Sequence, residues 1–122
     1  MDSKTSRANK RKGSEYESGL VTYLRLLGYK ATRLARRGSR DEGDIEIDLG
    51  DTVFIIEAKN AKAISLSEWL AESQVEAGNY AEARGMDPSR VIPLVVVKRR
   101  MKGVDKSYAV TELDTLFRII GL

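Results

Sequence analysis

Apolar residues at Leu20, Tyr23, Leu24 and Leu27 recur at the spacing of one helix face, and Gly28 stands where a C-terminal stop belongs. Ser14 and Glu17 have the spacing of a capping box, so this helix is expected to start at Ser14 and the folded domain near Gly13. Residues 1–12 show no apolar period and read as a basic, disordered arm. "YKATRLAR" alternates imperfectly and predicts an edge-like strand that leads into the polar loop "RGSRDEG". The alternation then becomes strict. Residues 44–49 and 52–59 flank Gly50-Asp51 and predict a hairpin with a two-residue turn. "SLSEWLAESQVEAGNYAEARG" predicts a second helix, with Leu66, Leu70, Val75 and Tyr80 among small alanines and Gly85 as its end. "RVIPLVVVK" has the continuous apolar character of a strand buried on both faces, although Pro93 demands an irregularity or an edge there. "KSYAV" predicts a last strand, and "ELDTLFRII" a short helix capped by Thr111. The order α-β-β-β-α-β-β-α implies an α/β fold: one domain over residues 13–122, with a mixed sheet flanked by helices and the hairpin at its centre.

A two-residue loop pairs positions whose numbers have a constant sum. Leu49 then faces Thr52, Asp48 faces Val53, Ile47 faces Phe54, Ile45 faces Ile56 and Asp44 faces Glu57. Opposed residues share a sheet face, as do residues two apart on one strand. Asp44, Glu57 and Lys59 therefore converge on one face, while Ile45, Ile47, Phe54 and Ile56 form a core stripe on the other.

Composition narrows the chemistry available to such a face. With 122 residues and 42% hydrophobic content, one core is expected. No cysteine and no histidine are present, which excludes disulfides, zinc-thiolate sites, a Cys nucleophile and every triad built on His. Hydrolysis would have to rest on carboxylates, lysine, hydroxyls or an oxygen-bound metal. No run approaches 18 apolar residues and no signal peptide is visible, so a soluble cytoplasmic protein without a membrane partner is expected. The net charge of +3 conceals three basic blocks, Lys4 to Lys12, Lys30 to Arg40 and Lys98 to Lys106, set apart from the acidic "DEGDIEID". Such segregation points to a polyanion beside an acidic site.

Two opposed carboxylates repel unless a proton or a cation lies between them. A hard divalent ion fits, and Mg²⁺ is commonly held by one or two carboxylates plus a substrate phosphate. A lysine beside it can align or help deprotonate a water and stabilise charge developing at phosphorus. The competing account makes Asp44, Glu46 and Asp48 the solvent face of an amphipathic strand, with Lys59 pairing Glu57 at the surface. Val53 and Ile55 lie on the same face as these acids, which argues for burial there.

These residues resemble the PD-(D/E)XK nuclease superfamily: Asp44, with Gly43 in place of the proline, then Glu57-Ala58-Lys59. "KGSEYESGLVTYLRLLGYKATRLARRGSRDEGDIEI" is similar to the start of archaeal-type Holliday junction resolvases, over roughly residues 12–62. The resemblance implies a restriction-endonuclease-like fold and a metal-dependent endonuclease that cuts four-way DNA junctions to 5′-phosphate and 3′-hydroxyl ends. It implies that Asp44, Glu57 and the Ala58 carbonyl hold Mg²⁺ or Mn²⁺, that Lys59 aligns the water, and that Glu17 supports a second ion or an aqua ligand. Ser39 would lie near the scissile phosphate. Lys10, Arg11, Lys12, Arg33, Arg36, Arg37 and Arg40 would grip DNA phosphates, and a homodimer would match the symmetry of the junction. Glu17 has a second account as the partner of Ser14 in the capping box. Ser18 departs from the arginine that follows this glutamate in the resolvases. Gln74 is either an exposed helix residue or one that supports Lys59 or touches DNA, and Trp69 is expected to be a packed or interface residue rather than a base-stacking wedge. A flap or nick nuclease of the same superfamily, or a non-catalytic DNA-binding module, are the alternative functions.

Overall fold

A computed structural model describes residues 3–35 and 40–121, so Arg36, Arg37 and Ser39 of the expected DNA contacts lie outside the described residues. The elements are α1 (Ser3–Leu26), β1 (Lys30–Arg33), β2 (Ile45–Asp48), β3 (Val53–Lys59), α2 (Leu66–Arg84), β4 (Val91–Val97), β5 (Tyr108–Val110) and α3 (Leu113–Ile120), with short 3₁₀ turns at Pro88–Arg90 and Val104–Lys106. This is the expected order. The strands form one mixed sheet in the order β1-β2-β3-β4-β5, antiparallel throughout except for the parallel pair β3 and β4.

The hairpin keeps its counted register from Asp48 opposite Val53 to Ile45 opposite Ile56. The Leu49 N–H donates to the Thr52 carbonyl at 2.9 Å, and Gly50 adopts φ 91°, the left-handed first position of a tight hairpin turn. The Asp48 carboxylate accepts from the Gly50 N–H, which binds this acid to the turn and not to the far end of the strand.

Register sorts the two faces. Ile45, Ile47 and Ile56 pack with Ala31 and Val96 against Tyr16, Leu20 and Val21 of α1. On the opposite face Val53, Ile55 and Val91 pack against Ala77, Tyr80 and Ala81 of α2. The acidic face of the hairpin is thus roofed by a helix, and the solvent-face account of its acids is set aside.

Three expectations change. The helix predicted from Ser14 begins at Ser3, so the arm expected to be disordered over residues 1–12 is helical from Ser3, and Ser14 is no cap. Lys, Arg and Ala in this stretch favour helix without any apolar stripe to reveal it. Thr111 does not cap α3; Glu112 holds that position, and the Thr111 hydroxyl donates to the Pro93 carbonyl at 3.2 Å. Val75, 63% exposed, and Leu66 turn away from the core, because α2 buries Trp69, Ser73, Glu76, Ala77, Tyr80 and Ala81 instead.

Pro93 is accommodated by the geometry of β4. Backbone groups of one strand residue point to one side, and the Pro93 carbonyl points away from β3 toward Thr111. Its missing N–H therefore falls on the side that β5, paired only with Val95–Val97, does not reach.

Candidate active site

The acids meet just before β2 begins, beside the last residues of β3. Asp44 precedes β2, and its N–H donates to the Ile56 carbonyl at 2.9 Å, one position out of step with the Ile45–Ile56 pair. The ladder therefore stops short of the expected Asp44–Glu57 pair. Asp44 is held instead by its own carboxylate, whose Oδ2 accepts the Ala58 N–H at 2.9 Å. The Ala58 carbonyl lies on the same edge of β3, since N–H and C=O of one strand residue share a side.

Gly43 makes this approach possible. Its φ is 99°, and a Cβ there would lie 2.5 Å from Ile55 Cγ2 and 3.8 Å from Glu76 Oε2. Proline, the residue of the superfamily pattern, is locked near φ −65° and cannot take this conformation. Gly43→Ala is expected to destabilise the fold by about 3 kcal/mol, from left-handed strain together with overpacking against Ile55. Thermal denaturation beside a Gly50→Ala control, where a Cβ meets open space, separates the packing part from backbone strain.

Glu57 projects under α2 and is 7% exposed. Its Oε1 lies 3.3 Å from Lys59 Nζ, which also lies 3.3 Å from Glu72 Oε2 and 5.7 Å from the centre of the Trp69 ring. Trp69 itself packs with Val95 and Val97, as expected. Burial works to lower the Lys59 pKa, but Glu57 and Glu72 outweigh it and raise the group above its ordinary value. Lys59 is therefore held as an ammonium ion.

The carboxylates are raised as well, which for an acid favours the neutral form. Burial, then the charge of Glu57, raises Asp44 from 3.8 to about 7, with Glu17 and Asp41 adding to the effect. Burial also raises Glu57. Glu76 is pushed up to about 11, first by burial and then by Glu57. Two carboxylates cannot bond while both are ionised; with one proton between them, Glu57 and Glu76 can. Without that proton, Glu57 Oε2 and both oxygens of Glu76 have no hydrogen-bond partner although they are buried. Orphaned buried oxygens beside mutually repelling acids are what a divalent cation relieves. Asp44, Glu57 and the Ala58 carbonyl fit one by donor type.

Glu17 stands on α1, the helix covering the opposite face, and pairs with Arg33 at 3.3 Å. Arg33 also donates to Ser18 at 3.0 Å and to Ser14 at 3.4 Å, so Ser18 receives a guanidinium that comes from β1. Arg40 is engaged by Asn79 and Glu82 of α2, at 2.7 and 3.0 Å. Lys10, Arg11 and Lys12 are exposed on α1. Gln74 is exposed on α2, on the side away from Lys59's partner Glu72 and the buried Glu76.

Sequence reasoning passed over Glu72 and Glu76 and took Tyr80 only as an apolar position of the helix; the three occur every four residues along α2. The signal was present: Glu76 interrupts the stripe of Trp69, Ala77 and Ala81, a position where a charge needs a reason. Tyr80 donates its hydroxyl to Glu46 Oε2 at 2.7 Å, which accounts for a second acid of the hairpin.

Among solved structures, the arrangement is similar to Hjc of Archaeoglobus fulgidus, a Holliday junction resolvase from an archaeal hyperthermophile. The two superpose with a TM-score of 0.50 over 84% of this chain and 90% of that one, at 21% identity. The fold is that of a resolvase-like nuclease. It is the restriction-endonuclease-like α/β arrangement, with a mixed five-stranded sheet and three helices among the described residues. No protein-family profile and no curated protein matches the chain. Among the described residues, no helix is long and apolar enough to cross a membrane.

Proposed function

We propose that this chain is a metal-dependent, structure-selective DNA endonuclease that resolves four-way junctions. The observation that carries the proposal is the meeting of Asp44, Glu57 and an ammonium-form Lys59 at the end of the hairpin, on a fold shared with a resolvase. Mg²⁺ or Mn²⁺ would be held by Asp44, Glu57 and the Ala58 carbonyl, and when bound supplies Lewis acidity toward a phosphoryl oxygen and a more acidic water. The chain's own residues do the positioning. The Ala58 N–H orients Asp44, and Glu57 and Glu72 keep Lys59 charged. Lys59 aligns the attacking water and faces the negative charge that grows as the P–O3′ bond breaks, leaving 5′-phosphate and 3′-hydroxyl ends. Glu17 supports a second ion or an aqua ligand.

Lys10, Arg11 and Lys12 bind DNA phosphates, aided by Arg33, Arg36, Arg37, Ser39 and Arg40. Substituting Lys10, Arg11 and Lys12 together by alanine is expected to lower the slope of log K against log salt by about 2.7 if all three reach duplex phosphates. A slope unchanged in fluorescence-anisotropy titrations removes α1 from the interface. The protein acts as a homodimer within the cell. Leu113, Phe117 and Ile120 of α3 are exposed, an apolar face of the kind a second copy would bury.

The test offers labelled four-way junctions, flaps and linear duplex with Mg²⁺ or EDTA. Paired symmetric nicks on the junction, abolished by EDTA, are the expected result. Metal-independent binding with no cleavage of any substrate rejects the enzyme in favour of a DNA-binding module, and preference for flaps reassigns the substrate.

A further inference from the structure

Asp41, Glu72 and Glu76 bring one carboxylate oxygen each within 4.8 Å of one another. Asp41 belongs to the segment before β2, whereas Glu72 and Glu76 lie one turn apart on α2. None of the three belongs to the Asp44, Glu57 and Ala58 set. We infer that they form a second divalent-cation site, built by α2 and the 40–43 segment, beside the one proposed for catalysis.

An acidic cluster alone would not carry this, since exposed carboxylates gather without binding anything. Here the cluster has a buried member with nothing to bond. Glu76 is 2% exposed, reaches oxygens of Asp41 and Glu72, and has no partner for either of its own. Glu57, 7% exposed, adds a third unpartnered oxygen at the boundary between the two sites. The local charge does not balance either. Asp41, Glu57, Glu72 and Glu76 confront one ammonium, Lys59, and that group already contacts Glu57 and Glu72. A dication would offset the excess.

The surrounding contacts hold the donors in place. The Asp41 carbonyl accepts from Asn79 Nδ2 at 2.9 Å, Arg40 bonds Asn79 and Glu82, and Glu42 pairs with Arg84 at 3.0 Å. Asp41 Oδ1 also accepts the Gly43 N–H at 2.9 Å. The segment leading to Asp44 is thus strapped to α2 from both sides of the cluster. Three carboxylates and no nitrogen or sulfur donor select a hard ion, Mg²⁺, Mn²⁺ or Ca²⁺. Bound there, it would join Asp41 to α2 and thereby steady Asp44, three residues on.

The inference rests on the proposed function only in assuming a neighbouring catalytic ion, and counting ions separates the two. Mn²⁺ titrations of the metal-free full chain, followed by electron paramagnetic resonance of the free ion, are expected to show two ions per chain. The Asp41→Asn, Glu72→Gln double variant should bind one, and Asp44→Asn should also bind one. Glu76→Gln, which keeps side-chain volume, is a second route to the same loss if the double variant does not fold. Two ions retained in the double variant, or one ion in the wild type that only Asp44→Asn removes, overturns the inference and leaves the catalytic site standing. One ion removed by the double variant but not by Asp44→Asn does the reverse.

Discussion

Glu57→Gln and Lys59→Ala should each leave junction binding intact while single-turnover cleavage falls by about 10²–10³-fold or more, the range for losing one group that stabilises transition-state charge. The two losses have different physical origins. Glutamine at 57 keeps the volume and the packing under α2 but forfeits the anion that would hold the metal and that contacts the Lys59 ammonium. Alanine at 59 removes the cation that would face the scissile phosphate and leaves Glu57 and Glu72 without their shared partner. That second effect threatens stability, so Lys59→Gln belongs beside it, together with a melting curve for each variant. Raising Mg²⁺ should rescue part of the Glu57→Gln loss and none of the Lys59→Ala loss. Cleavage at wild-type rates by either variant removes that residue from the mechanism, and binding lost in parallel with cleavage reduces the effect to folding.

Without metal, the folded protein should lose stability as pH rises from about 4 to about 7. The sign follows from Asp44, which ionises near 3.8 in an unfolded chain and near 7 here. Between those values the native state holds a proton that the unfolded state has released, so stability is greatest below 3.8 and declines as pH passes through 7. A displacement of this size is worth up to about 4 kcal/mol. Other carboxylates, such as Asp87, bonded to Ser89, run in the opposite direction, so the comparison that isolates the effect is with Asp44→Asn. In EDTA, that variant should show a melting temperature several degrees above wild type at pH 8 and no advantage at pH 4. Millimolar Mg²⁺ should restore the wild type at pH 8 and stabilise the variant by less, since the variant keeps only the Asp41, Glu72 and Glu76 site. A wild type and variant with parallel pH profiles in EDTA would mean that Asp44 ionises as an ordinary surface acid.

The hairpin was legible because its two constraints agree. Gly50-Asp51 sets the turn, and alternation at Ile45, Ile47, Phe54 and Ile56 selects one register, in which the acids fall under α2. Element order followed from periodicity and from glycines such as Gly85, which ends α2 in the left-handed conformation. The start of α1 was hidden, because residues 7–12 of that helix are mostly exposed and need no apolar stripe. The last step to Asp44 was hidden for another reason. Counting positions assumes a regular ladder, and Gly43 bends the chain just where the ladder ends. The acids of α2 were missed because Glu72 and Glu76 pass for the polar face of an amphipathic helix, although Glu76 stands at helical spacing from the buried Trp69, Ser73 and Tyr80 and points inward with them.

Beyond the reach of β5, the first half of β4 presents an open rim, and such rims invite stray strands and lead to aggregates. Pro93 offers no donor on that side, and Thr111 already occupies its acceptor. If the chain gathers along DNA as proposed, copies would meet often, and this blunted rim denies those encounters a backbone template. Copies would then have to recognise one another through side chains.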